Sequence, residues 1–81
     1  MRVQLRLFAV AKQMAGRDSI ELELPEGATI AELRRELGAR VPELSGLTPQ
    51  MMFAVDAEYA DDDRTIDPDA DLACIPPVSG G

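Results

Sequence analysis

The six residues Pro76-Pro77-Val78-Ser79-Gly80-Gly81 at the C-terminus carry the clearest chemical potential in this 81-residue chain. Gly80 and Gly81 lack a Cβ, so the chain ends as narrowly as a peptide can and fits a tunnel that would exclude any larger side chain. The terminal carboxylate, with a pKa of about 3.3–3.7, is ionised at neutral pH and is a poor electrophile. Reaction at that carbon needs activation from outside. Transfer to a nucleotide gives an acyl adenylate, which a sulfur donor or an amine can then attack. The chain itself needs no base, metal or histidine for this chemistry. Pro76 and Pro77 have constrained φ and no N–H, so they stop a sheet ladder after Ile75 and throw the chain outward in extended form. At a usual glycine frequency of about 7%, a random chain ends in Gly-Gly about 0.5% of the time, and a trimmed flexible terminus gives the same ending. The proline pair and the compact sequence before it favour a functional tail over both.

Other chemistries are narrowed by what the sequence lacks. There is no histidine, which removes histidine-based triads and the usual imidazole metal ligands. Cys74 is the single cysteine, so it forms no internal disulfide and completes no four-cysteine metal site; a reducing cytoplasm fits best. Its apolar neighbours favour a small buried hydrophobe over a reactive thiol. Asp61, Asp62, Asp63, Asp67, Asp69 and Asp71 are hard oxygen donors of the kind calcium prefers. The loop glycine and terminal glutamate of an EF-hand are missing, which favours a solvated, turn-rich acidic surface and no metal. Fifteen acidic against eight basic residues give a net charge of -7, which repels phosphate backbones and disfavours nucleic acid as a partner. The N-terminus alternates charged and apolar residues, unlike a signal peptide, and no segment approaches the roughly 20 apolar residues of a membrane span. A soluble protein without membrane attachment is expected.

The elements that must carry the tail follow from periodicity. Val3, Leu5 and Leu7 alternate with Arg2, Gln4 and Arg6, which predicts a half-buried strand. Ala9 to Ala15 has good helix formers and is followed by Gly16, which suits a C-cap. Ile20, Leu22 and Leu24 alternate with Glu21 and Glu23 in a second strand that ends at Pro25-Glu26-Gly27. Thr29 and Glu32 have capping-box spacing, and Ile30, Leu33, Leu37 and Val41 form one apolar stripe with Arg34, Arg35 and Glu36 facing away. A loop is predicted from Pro42 to Pro49, a strand at Met51 to Val55, and an irregular, half-acidic stretch from Asp56 to Asp71. Leu72-Ala73-Cys74-Ile75 is apolar throughout, as in a short central strand covered on both sides or flanked by a partner. The first and last strands can lie parallel and adjacent. The sum is an α+β fold, a mixed sheet packed on one main helix in a β-grasp (ubiquitin-like) arrangement, with residues 1–75 forming the domain and 76–81 the tail.

Leu7-Phe8-Ala9, Gly16, Ala54-Val55-Asp56 with Glu58-Tyr59, the acidic late segment and Ile75-Pro76-Pro77-Val78-Ser79-Gly80-Gly81 together resemble the molybdopterin synthase small-subunit family of ubiquitin-like sulfur carriers. The likeness spans the chain, and the Pro-Pro-Val-x-Gly-Gly ending is its most specific part. Lys12-Gln13-Met14 departs from the family's more usual Arg-Glu-Leu, a surface and packing variation. The resemblance implies that Gly81 is adenylated by a ubiquitin-activating-type enzyme using ATP, is converted to a thiocarboxylate with sulfur from a donor protein, and donates that sulfur to a cyclic pyranopterin. It implies a non-catalytic subunit with no permanently bound cofactor, partnered with the large catalytic subunit of molybdopterin synthase in a cytoplasmic heterotetramer. Gly80, Ser79, Val78, Pro77 and Pro76 would line the partner's channel, and Phe8 and Ile75 would form the apolar docking surface beside it. An exposed Phe8 anchors such an interface, whereas a buried one is core. The same Gly-Gly chemistry also serves sulfur carriers for thiamine thiazole, cysteine or tRNA thiolation, and ubiquitin-like modifiers that join lysines. A pure interaction domain would be indifferent to losing Gly81.

Overall fold

The computed structural model describes residues 1–77. Five strands form one mixed sheet in the order β2-β1-β5-β3-β4, with β1 at Arg2–Leu7, β2 at Ser19–Glu23, β3 at Met52–Val55, β4 at Glu58–Ala60 and β5 at Leu72–Ile75. Helix α1 spans Ala9–Ala15 and α2 spans Ile30–Arg40. β1 pairs antiparallel with β2 and parallel with β5, so the last strand lies at the centre of the sheet and leads directly into the tail. This is the predicted β-grasp.

Alternation decides the faces. Val3, Leu5 and Leu7 are buried while Arg2, Gln4 and Arg6 stay in solvent. Ile30, Leu33 and Leu37 of α2 join them in a core completed by Leu22, Phe53, Val55, Leu72 and Cys74. Gly16 closes α1 at φ 73°, a left-handed conformation that glycine adopts at little steric cost. Glu32 Oε1 accepts the Thr29 backbone N–H at 3.3 Å, one half of the predicted capping box. No helix among the described residues is long and apolar enough to cross a membrane.

The structure departs from the sequence-based expectation in four places. The predicted loop contains two 3-10 turns, Pro42–Leu44 and Thr48–Gln50, that bury Leu44 and Thr48 against the helices. The stretch taken as irregular opens with a hairpin: Val55 is followed by Asp56 at φ 51° and Ala57 at φ 71°, and β4 then pairs with β3. Two consecutive left-handed residues are the geometry of a type I′ turn, whose usual sequence is Asn-Gly; Asp-Ala hides it. The rest of that stretch is stapled to α2. Ile66 is buried, and the Asp62 and Arg64 carbonyls accept the Ala31 and Ile30 N–H groups at 3.0 Å each, satisfying donors that a helix start leaves free.

Arg34 was expected to face away, yet it is a clamp. Its Nη1 donates to the Thr48 and Met51 carbonyls at 2.6 and 2.7 Å, and its Nη2 to Asp62 Oδ1 at 2.6 Å. Its guanidinium lies 5.0 Å from the Phe53 ring centroid, within cation–π range. One side chain thereby ties the second 3-10 turn and the acidic segment to the core. Finally, Pro76 is buried and Pro77 exposed, so the chain begins to leave the body one residue later than the first proline suggests.

Candidate functional site

The site is built on the sheet face opposite α2. In β3 and β5 every position is apolar, so once Phe53, Val55, Leu72 and Cys74 turn toward the core, Met52, Ala54, Ala73 and Ile75 must face outward. The ladder aligns Ala73 with Ala54 and Ile75 with Met52, and β4 places Tyr59 beside Ala54. The other half of this face, from β1 and β2, carries Arg2, Gln4, Arg6, Glu21 and Glu23. Half the outer surface is therefore apolar and half charged, and the apolar half adjoins the origin of the tail.

Phe8, Ala54, Ala57, Tyr59, Ala73 and Ile75 line an open groove of about 480 Å³ there. Phe8 is 43% exposed and Tyr59 66% exposed, which settles Phe8 as a surface residue. Its position follows from the chain path. β1 ends at Leu7, Phe8 keeps extended geometry, and Ala9 turns at φ 53° into α1. A left-handed alanine is strained by about 1–2 kcal/mol, and that turn leaves the Phe8 ring beside Ile75 instead of beneath the sheet. Exposed aromatic and aliphatic groups gathered beside polar neighbours are the mark of a contact surface.

Phe8 and Ile75, which the resemblance implies as a docking surface, line one groove, and Pro76 and Pro77 continue from Ile75. Val78, Ser79, Gly80 and Gly81 lie outside the described residues. Ala54, Ala57, Ala73 and Tyr59 were missed as site residues. The signal for Ala54 and Ala73 was present in the sequence: strands without a polar position need cover on both faces. Ala57 and Tyr59 depended on recognising the hidden turn.

Cys74 takes no part. Its side chain points away from the groove, is fully buried, and lies with Sγ 3.2 Å from Met51 Sδ. Burial, opposed in part by the Arg34 charge, raises its pKa from 9.0 to about 11. The thiol is protonated at neutral pH and is not a nucleophile. Two of the six aspartates are occupied with structure: Asp62 pairs with Arg34 at 2.6 Å and Asp71 with Arg6 at 2.8 Å. Among the described residues no group of three or more carboxylate or cysteine ligands converges on one point.

A family model described as the ThiS family matches residues 5–81. The molybdopterin synthase sulfur carrier subunit of Dictyostelium discoideum is 38% identical over 81 residues, covering 96% of this chain and 94% of that protein. Among solved structures, a Pyrococcus furiosus protein assigned to molybdopterin converting factor, subunit 1 superposes with a TM-score of 0.85 at 28% identity, over 96% of this chain and 99% of that one. SAMP1 from Haloferax volcanii shares the fold, with a TM-score of 0.86 at 24% identity over the whole of both chains. With the matched region running from β1 to Gly81, across the sheet, the groove and the tail, the chain belongs to the ThiS family.

Proposed function

We propose that this protein is the sulfur carrier subunit of a molybdopterin synthase. The carrying observation is the apolar groove at the root of a tail that ends in Gly-Gly. A docking surface there registers a partner against the body while the narrow end reaches into that partner's active site. Relatives that match nearly the whole chain and are named molybdopterin synthase sulfur carrier subunits support the choice of pathway.

In this reading a ubiquitin-activating-type enzyme binds the carrier and transfers AMP from ATP to the Gly81 carboxylate, releasing pyrophosphate. A sulfur nucleophile delivered by a donor protein then displaces AMP, leaving a thiocarboxylate. The loaded tail enters the large catalytic subunit, where the sulfur attacks the cyclic pyranopterin and the carboxylate returns through hydrolysis. Pro76 and Pro77 stiffen the exit, and Val78, Ser79, Gly80 and Gly81 occupy the channel. The carrier holds no resident cofactor and supplies no acid or base. Two carriers on a dimer of large subunits form a heterotetramer in the cytoplasm.

The test is sulfur transfer by the reconstituted pair with the tail altered. Deleting Gly81, or Gly80→Trp, abolishes product formation with the melting temperature unchanged, since the core is built from residues between Val3 and Cys74. Undiminished product from either folded variant would refute the proposal.

A further inference from the structure

Arg6 stands at the border between the charged and apolar halves of the outer face, opposite Ala73 in the parallel ladder. Its Nη2 donates to Asp71 Oδ2 at 2.8 Å. Its guanidinium carbon lies 5.8 Å from the Phe8 ring centroid, within the reach of a cation–π contact of about 6 Å. Asp71 is itself held in place: its N–H donates to Asp56 Oδ1 at 2.9 Å, and its carbonyl accepts the Asp56 N–H at 2.8 Å. A continuous set of contacts therefore runs from the β3–β4 turn through Asp71 and Arg6 to Phe8. Ala57, next to Asp56 in that turn, lines the same groove as Phe8.

Phe8 needs such a restraint. The ring follows the end of a strand, precedes a strained residue, and is 43% exposed, so packing beneath it leaves much of it without neighbours. A partner that has to order a loose ring on docking loses affinity, and a ring ordered in advance avoids that loss. The Arg6–Asp71 ion pair is more than half exposed at both ends; pairs of this kind contribute little to folding. Its effect lies in orienting the guanidinium over the ring.

We propose that Arg6 is a positioning residue for the docking groove: held by Asp71, it fixes the Phe8 ring in the orientation that walls the groove before any partner arrives. The proposal rests on the reading of the groove as the surface that docks the large synthase subunit. It gives Arg6 a role apart from contact with that subunit, and makes Asp71 a second residue whose loss acts through Arg6.

A double-mutant cycle on the full chain tests it, with calorimetric titration against the purified large subunit and aromatic NMR of the free carrier. Arg6→Ala weakens binding about 3- to 10-fold, the size expected of one side chain left unordered. In a Phe8→Ala background the same change alters Kd less than about twofold, because no ring remains to be held. In the free carrier Arg6→Ala collapses the shift dispersion of the Phe8 ring toward rotamer averaging, and Asp71→Ala does so in part. Equal effects of Arg6→Ala with and without Phe8, or an unchanged Phe8 spectrum, would overturn the positioning role while leaving the docking reading intact. A parent protein that does not bind the large subunit would overturn the docking reading, and the NMR arm would still decide whether Arg6 orders the ring.

Discussion

Phe8→Ala removes the aromatic wall of the groove, and the size of the effect can be worked from exposure. An aromatic side chain offers roughly 150–250 Å² of burial. With 43% of Phe8 exposed in the free carrier, docking has about 85 Å² left to cover. At about 25 cal/mol per Å², covering it contributes about 2 kcal/mol, equivalent to about 30-fold in Kd. The part already packed against the domain sets an upper bound of about 3 kcal/mol on the loss of folding stability. That is less than the 5–15 kcal/mol typical of a domain, so the variant remains folded with a lower melting temperature. Calorimetric titration with the large subunit at matched salt measures the first quantity, and urea unfolding the second. A Kd within twofold of the parent would refute the assignment of this face as the docking surface, whatever the change in stability.

Arg34→Ala frees the Thr48 and Met51 carbonyls and Asp62 together; with charged hydrogen bonds worth about 1.5–3 kcal/mol each and mostly exposed Asp62 discounted, urea titration shows a loss of about 3 kcal/mol. Asp62→Asn, which touches only the exposed end of the clamp, loses less than about 1 kcal/mol in the same assay. Ala57→Gly relieves a left-handed alanine in the β3–β4 turn and raises stability by up to about 1 kcal/mol by chemical denaturation, the gain being limited by the added freedom of the unfolded chain. Burial holds the Cys74 thiol at about 11 against an ordinary 9.0, so the unfolded chain releases that proton first. The stabilising contribution is complete below pH 9 and is lost as pH rises toward 11, and Cys74→Ala removes this part of the alkaline decline in unfolding scans.

Much of the fold was legible because its signals are local. The alternation of Val3, Leu5 and Leu7 with charged residues, the spacing of Ile30, Leu33 and Leu37, and Gly16 after a run of helix formers each have one favourable reading. The central position of β5 followed from four apolar residues in a row. What escaped depends on partners distant in sequence. Arg34 lies on the polar side of α2 by periodicity, and its burial is created by the Thr48 turn and Asp62 arriving from elsewhere. The β3–β4 hairpin escaped because alanine occupies a position where glycine would have marked the turn.

The site divides in the same way. The role proposed for Gly80 and Gly81 rests on residue type alone, and Ile75 lies in the strand that leads to them. Phe8 was ambiguous in sequence, since an aromatic residue beyond a strand packs inward or outward according to the next residue's backbone. The positive φ of Ala9 decides the case. The groove between them combines side chains from four stretches of chain, so only the folded sheet displays it.

The most direct test of the central claim is the intact mass of the carrier after incubation with its activating enzyme, ATP and a sulfur donor. The account predicts a gain equal to the replacement of one oxygen by sulfur, mapped to Gly81 and reversed when the large subunit and pyranopterin precursor are added. No gain with an activating enzyme shown to adenylate the chain, or isopeptide-linked conjugates in its place, would contradict it.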